Sequence, residues 1–262
     1  MLSEHSVLTT GQLVRLTGLP ERTVQHRLAR LHRAGLVSRY RPEVPVGTAP
    51  YHAWLTTFGA TAIGAGPPEP WSDDPAGLPA MAALSELWLG VRDHGCQVGL
   101  HLAGWRRLPD GLTWHDPGSD TVRQLPVEAE LRVGLGAEVV TALVGAHVER
   151  VPTVRVVAIL ARFAAYVAGR SATTLGPVLL VLARAERVAA AVLSACGQVG
   201  DTPVGRRLGR VALDAATGRV AVGVFEPRPA GLVTEAVWRT PVAPDEARRL
   251  VDVLVGALAG GR

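Results

Sequence analysis

Along the first sixty residues, apolar positions recur at helical spacing between polar turns. In LTTGQLVRLTG, Thr9 and Thr10 are hydroxyl residues of the kind that cap a helix N-terminus, and they precede Leu13, Val14 and Leu16 before Gly18 stops the run. Leu19-Pro20 reads as a turn, with Pro20 in the first turn of a second helix, where its missing N–H costs nothing. That helix begins near Glu21. Its Val24, Leu28 and Leu31 fall at i, i+4 and i+7 and predict one buried stripe, with Gly35 as the C-cap. LVSRYR and PYHAWLT then read as strands on either side of the turn-rich PEVPVGT. Short helix, turn, helix and hairpin in this order form a winged helix-turn-helix, whose second helix enters the major groove of duplex DNA.

The pattern changes at GAGPPEPWSDDPAGLP, a Gly/Pro-rich stretch of linker composition. The expected division is a winged helix over 1–66, a linker over 67–77 and a second domain over 78–262. In the latter a helix is predicted from about Pro79 to Arg92, with Leu84, Leu87, Trp88 and Val91 on one face. CQVGLHLAGW, GLTWHD and TVRQLPVEAELRV read as strands, followed by a helix around 153–168, a buried strand at 177–183 and a helix at 184–196. Strands at 219–225 and 232–238 and a helix from Pro244 complete the chain. The class is α+β: a winged helix followed by an α/β domain.

Charge is unevenly placed. Residues 1–57 hold seven arginines (15, 22, 27, 30, 33, 39, 41) against Glu4, Glu21 and Glu43, a net of +4 that equals the net charge of the whole 262-residue chain. Positive potential on the module that would face phosphate is what counterion-release binding requires. The outward face of the second helix offers Arg22, Thr23, Gln25, His26, Arg30 and Arg33, and the hairpin adds Arg39 and Arg41. Arg and Gln read guanine and adenine edges, whereas basic hairpin residues meet phosphates. All 27 basic residues are arginine, so chemistry that needs a lysine is excluded. Cys96 and Cys196 lack a CxxC or a nearby Cys/His set and read as buried small hydrophobes in a reducing compartment. The first residues are polar and helical, unlike a secretory signal, and the apolar runs near 139–148, 156–161 and 175–183 are too short to span a bilayer. The expectation is a cytoplasmic protein without a membrane partner.

Candidate chemistry in the second domain rests on carboxylates. Pro109-Asp110 precedes Glu128-Ala129-Glu130 by a gap of 17 residues, and alternation along a strand turns both glutamates to one face. Acids converging at a sheet edge are how Mg²⁺ is held for phosphodiester hydrolysis, and the spacing is that of a PD-(D/E)xK nuclease. Other motifs carry less. Gly134 and Gly136 lack the third glycine of a dinucleotide fingerprint, His94, His101, His115 and His147 are scattered, and no GxSxG elbow surrounds Ser85, Ser119 or Ser194.

RTVQHRLARLHRAGLVSRYRP followed by GTAPYHAWLTTFGA resembles the N-terminal half of the replication-relaxation proteins of actinobacterial plasmids and integrated mobile elements. LPDG through LPVEAELRVG, with ARFAAYVAG leading into PVLLVLARAERVAAAV, resembles their C-terminal half, which implies a restriction-endonuclease-like fold. The resemblance spans about residues 5–196 and puts Asp110 and Glu128 in the positions of the nuclease-like acids. The (D/E)xK lysine is missing: Arg132 stands two residues after Glu130, and a guanidinium stays charged. The expected protein is therefore a non-enzymatic, double-stranded-DNA-binding regulator or accessory factor in replication or maintenance of a plasmid or mobile element, with no cofactor. A homodimer and a replication protein are the further partners considered. Two alternatives stay open: a Mg²⁺-dependent endonuclease using Asp110, Glu128 and Glu130, and an interaction module that binds a replication or partition protein.

Overall fold

The computed structural model describes residues 1–43, 49–66, 77–116, 121–147, 152–170, 176–225, 232–233, 235 and 237–259. The fold mixes helices and sheets in the α+β manner, and contacts divide the chain into two units, Met1–Leu89 and Gly90–Arg262.

The first unit starts with α1 (Leu2–His5), β1 (Leu8–Thr9), α2 (Thr10–Thr17) and α3 (Glu21–Arg33). It continues with β2 (Val37–Tyr40), β3 (His52–Leu55) and α4 (Thr57–Ala62). The strands form an antiparallel sheet in the order β1-β3-β2. Thr9 and Gln12 cap α2 reciprocally: Gln12 N donates to Thr9 Oγ1 at 3.2 Å and Thr9 N to Gln12 Oε1 at 2.8 Å. Gly18, at φ +65°, closes that helix in the left-handed conformation that glycine adopts freely. Pro20 stands one position earlier than expected, at the N-cap of α3 with extended ψ 141°, so the helix starts at Glu21 without a proline in its first turn. At the other end Ala34 is the C-cap and Gly35 follows it at φ +71°. There Gly35 N donates to His32 O and Leu36 N to Leu31 O, which is a Schellman closure.

The core of this unit is Leu8, Leu13, Val24, Leu28, Val37 and Ala53, which places α2 and α3 on one face of the sheet. It ends before the last turn of α3. Leu31, expected in the buried stripe, is therefore 39% exposed. Helix α4 is stitched to the α3–β2 turn by Thr56, whose Oγ1 accepts from Gly59 N at 2.9 Å and donates to Gly35 O at 2.6 Å. A Cβ at Gly59 would lie 1.9 Å from Leu36 O, so only glycine lets the two segments meet.

Helix α5 (Leu78–His94) runs through the unit boundary. The linker expected over 67–77 falls almost wholly outside the described residues, and the contact boundary lies further on, within α5. The first half of the helix explains this: Leu78, Leu84 and Leu87 are fully buried, and Ser85 Oγ donates to Val7 O at 3.0 Å.

The second unit is built on β4 (Leu100–Arg107), β7 (Ala129–Leu135), β8 (Glu138–His147), β9 (Val178–Ala183), β10 (Val220–Val224), β11 (Trp238–Thr240) and β12 (Ala243–Arg248). The sheet order is β12-β11-β10-β9-β8-β7-β4. β8, β9 and β10 are parallel and the outer pairs antiparallel. Helix α6 (Thr153–Ala168) connects β8 to β9. Helices α7 (Glu186–Gln198), α8 (Pro203–Leu208) and α9 (Arg210–Thr217) lie between β9 and β10, and α10 (Leu250–Ala259) ends the described chain. All six residues of β9 are buried, as suits a strand covered on both faces. Val156, Leu160 and Phe163 of α6 pack with Leu179, Val181 and Val222 on one side of the sheet.

Several expected elements differ. The single strand expected over TVRQLPVEAELRV is two, because Pro126 cannot donate to a ladder. Its first half, β6 (Thr121–Leu125), pairs with β5 (Leu112–Asp116) in a separate hairpin, while β7 joins the main sheet. Trp114 of that hairpin meets Tyr166 of α6 edge-on, with ring centroids 5.3 Å apart. β8 was not expected; its short apolar run suits a buried strand or a helix equally well. The strand expected at 232–238 begins at Trp238. The segment from Pro244, expected to be helical, is the edge strand β12, and helix begins where apolar spacing resumes at Leu250.

Candidate nucleic-acid interface

Burial of Val24 and Leu28 fixes the rotation of α3. The opposite side carries Arg22, His26, Arg30 and Arg33, all exposed and spaced i, i+4, i+8 and i+11, a single row along the helix. Gln25 is exposed beside the row, with its Nε2 donating to Glu21 Oε1 at 2.9 Å. Thr23 is half-buried on the flank and is not brought into the row. Among the described residues no carboxylate pairs with Arg22, Arg30, Arg39 or Arg41. Arg15, by contrast, is committed internally: its Nη1 pairs with Glu86, whose side chain is 8% exposed. Glu86 also accepts from Gln12 Nε2 at 3.0 Å and so forms part of a buried polar cluster.

The hairpin holds its two arginines differently. Arg39 Cζ lies 4.6 Å and Arg41 Cζ 4.0 Å from the centroid of the Tyr51 ring. Tyr51 carries no signal in the sequence because the β2–β3 register is set by a loop whose length does not fix a turn type. His52, next to it, is buried, and its Nδ1 has no hydrogen-bond partner. Burial holds its pKa below the usual imidazole value.

The acids of the second unit lie near the end of the β4–β7 ladder, where Leu108 N donates to Glu128 O at 2.9 Å. Asp110 sits exposed in the turn between β4 and β5. Glu128 immediately precedes β7 and is half-buried, as is Glu130, on either side of the buried Ala129; Glu128 Oε2 accepts from Ala146 N at 2.9 Å. Glu130, on β7, pairs with Arg106 of β4 at 2.7 Å, and Arg132 is exposed on the same strand. Among the described residues no three His, Cys, Asp or Glu side chains group so as to hold a metal ion.

Elsewhere in this unit a cavity of about 800 Å³ has an apolar floor of Leu193, Cys196 and Leu213 and a rim of Asp201, Arg206 and Asp214. Burial pushes the Cys196 thiol up to about 12, so it is inert at neutral pH. Cys96, expected to be buried, is exposed in the turn after α5. No helix among the described residues is long and apolar enough to cross a membrane.

No curated protein and no solved structure matches the chain. Residues 1–119 match the family model described as replication-relaxation, so this part of the chain is similar to that family.

Proposed function

We propose that the first unit is a winged helix-turn-helix that binds double-stranded DNA. In this reading α3 lies in the major groove and the β2–β3 hairpin lies against phosphates. The observation that carries it is the exposed row of Arg22, His26, Arg30 and Arg33, among which neither Arg22 nor Arg30 has a carboxylate partner. A solvated helix face in a folded protein normally mixes both signs, whereas a row of one sign, beside a hairpin with two further unpaired arginines, is the electrostatic footprint of a polyanion site. The family match supports a role in replication of a plasmid or other mobile element, with the chain as accessory factor or regulator. The second unit is then a restriction-endonuclease-like scaffold without catalysis. Three antiparallel strands, a helix and a parallel strand support that likeness, and the engagement of Glu128 by Ala146 N and of Glu130 by Arg106, with Arg132 in place of lysine, supports the lack of catalysis. Dimerisation and contact with a replication protein belong to the same proposal.

The test is the salt dependence of duplex binding by the full chain. If about five arginines meet phosphates, log K falls with log salt at a slope of about −4 to −5. A flat response, or no binding at low salt, sinks the reading.

A further inference from the structure

We propose that Tyr51 positions Arg39 and Arg41 as a two-arginine phosphate clamp on the hairpin; the inference rests on the DNA-binding reading above. The register places Tyr40 opposite His52 and Arg39 opposite Ala53, so one step further Arg41 faces Tyr51. Alternation then puts Val37, Arg39 and Arg41 on one face of the sheet, together with Tyr51, Ala53 and Leu55. On that face Val37 and Ala53 meet Val24 and Leu28 of α3. Both arginines therefore emerge on the side of the sheet that carries α3.

The chemistry of the contact matters as much as its place. Two cations share one neutral ring at 4.6 and 4.0 Å, within the ~6 Å reach of a cation–π interaction. A carboxylate in the same position would have consumed the guanidinium N–H donors. A ring engages the guanidinium through its face and leaves the N–H edges available for two-point contact with a phosphate. The ring also restricts two flexible side chains before any ligand arrives, and the residual repulsion between them is relieved when an anion enters. Tyr51 has no competing structural duty in its side chain. It lies outside the core cluster, and the bond it gives the fold is its backbone carbonyl, which accepts from Thr10 N at 2.9 Å and survives any substitution.

The experiment measures binding of the full chain to a short random-sequence duplex by fluorescence anisotropy across a salt series. Tyr51→Leu is expected to weaken binding about 3- to 10-fold while leaving the salt slope near that of the wild type, because the charges remain and only their placement is lost. Tyr51→Phe, which keeps the ring, restores affinity to within about 2-fold. In an Arg39→Ala/Arg41→Ala background Tyr51→Leu has no further effect, which a general loss of stability would not reproduce. If Tyr51→Leu does not fold, Arg39→Lys/Arg41→Lys serves instead. It keeps the charge and weakens the stacking, so reduced affinity at unchanged slope supports the clamp and wild-type affinity overturns it. Wild-type binding by a folded Tyr51→Leu, or an undiminished loss in the double-alanine background, overturns the clamp alone. Absence of duplex binding by the wild type overturns the clamp and the DNA-binding reading together.

Discussion

Gln12 and Glu86, 74 positions apart in sequence, share a buried hydrogen bond from Nε2 to Oε2 at 3.0 Å. The same amide donates to Ala82 O at 2.8 Å, and Arg15 pairs with the other carboxylate oxygen. Removing the carboxylate strands two donors in a nearly dry site. Glu86→Ala should therefore cost about 2–3 kcal/mol, less than a fully buried pair because Arg15 is 31% exposed. The same cluster makes the first half of α5 a wall of the first unit. A fragment 1–94 is expected to melt cooperatively and a fragment 1–66 not to. Equal, cooperative melting of the two fragments would refute this.

Reading and positioning should separate by mutation. Arg22→Ala or Gln25→Ala is expected to relax preference at one position of a DNA site by about 1–3 kcal/mol, while Arg39→Ala or Arg41→Ala weakens binding to all sequences alike. The exposed Gln25–Glu21 bond must open for Gln25 to reach a base, which makes Gln25 the weaker reader. Identical behaviour of both sets across a panel of altered sites would show that α3 is not docked as proposed.

His52 gives the first unit a pH dependence of known sign. Its folded-state pKa lies below the ordinary 6.5, chiefly through burial, with the bond to Pro50 O opposing weakly. As pH falls through 6.5 the unfolded chain takes up a proton that the folded one refuses. The stability associated with neutral His52 is thus complete above 6.5 and declines as pH drops below it toward the folded-state value. Melting temperatures between about pH 7.5 and pH 5 should fall more steeply for the wild type than for His52→Leu. Parallel curves would assign the dependence elsewhere.

Phosphodiester cleavage needs a metal to polarise the phosphate and a group to activate water. Glu128 is taken by the Ala146 amide, Glu130 by Arg106, and Arg132 stands where a nuclease of this type carries lysine. The expected outcome is intact supercoiled and linear DNA after incubation with Mg²⁺ or Mn²⁺. Metal-dependent nicking that disappears in both Asp110→Ala and Glu128→Ala would move the protein to the enzyme class.

The first unit was legible because its signals are local. Gly18, Gly35 and the spacing of Val24 and Leu28 each act within one turn of helix, so α2, α3 and the hairpin stand where the pattern put them. What escaped depends on distant partners. Leu31 has apolar spacing but lies 39% exposed beyond the end of the core, and Glu86 gives no sign in sequence that Gln12 will meet it. In the second unit β8 owes its state to the sheet around it, and Pro126 divided a strand that alternation alone would have continued. The candidate acids were legible as residue types, but the groups that engage them, the Ala146 amide for Glu128 and Arg106 for Glu130, come from neighbouring strands and left no mark in the sequence.

Because the start of α5 is held to what precedes it by side chains as well as by the chain itself, the peptide between Gly66 and Gly77 is not what keeps that helix in place. A protease cut there would yield two polypeptides that stay associated through Ser85 and Glu86. Separately made pieces covering 1–66 and 77–262 should reassemble by complementation, each supplying the surface the other lacks.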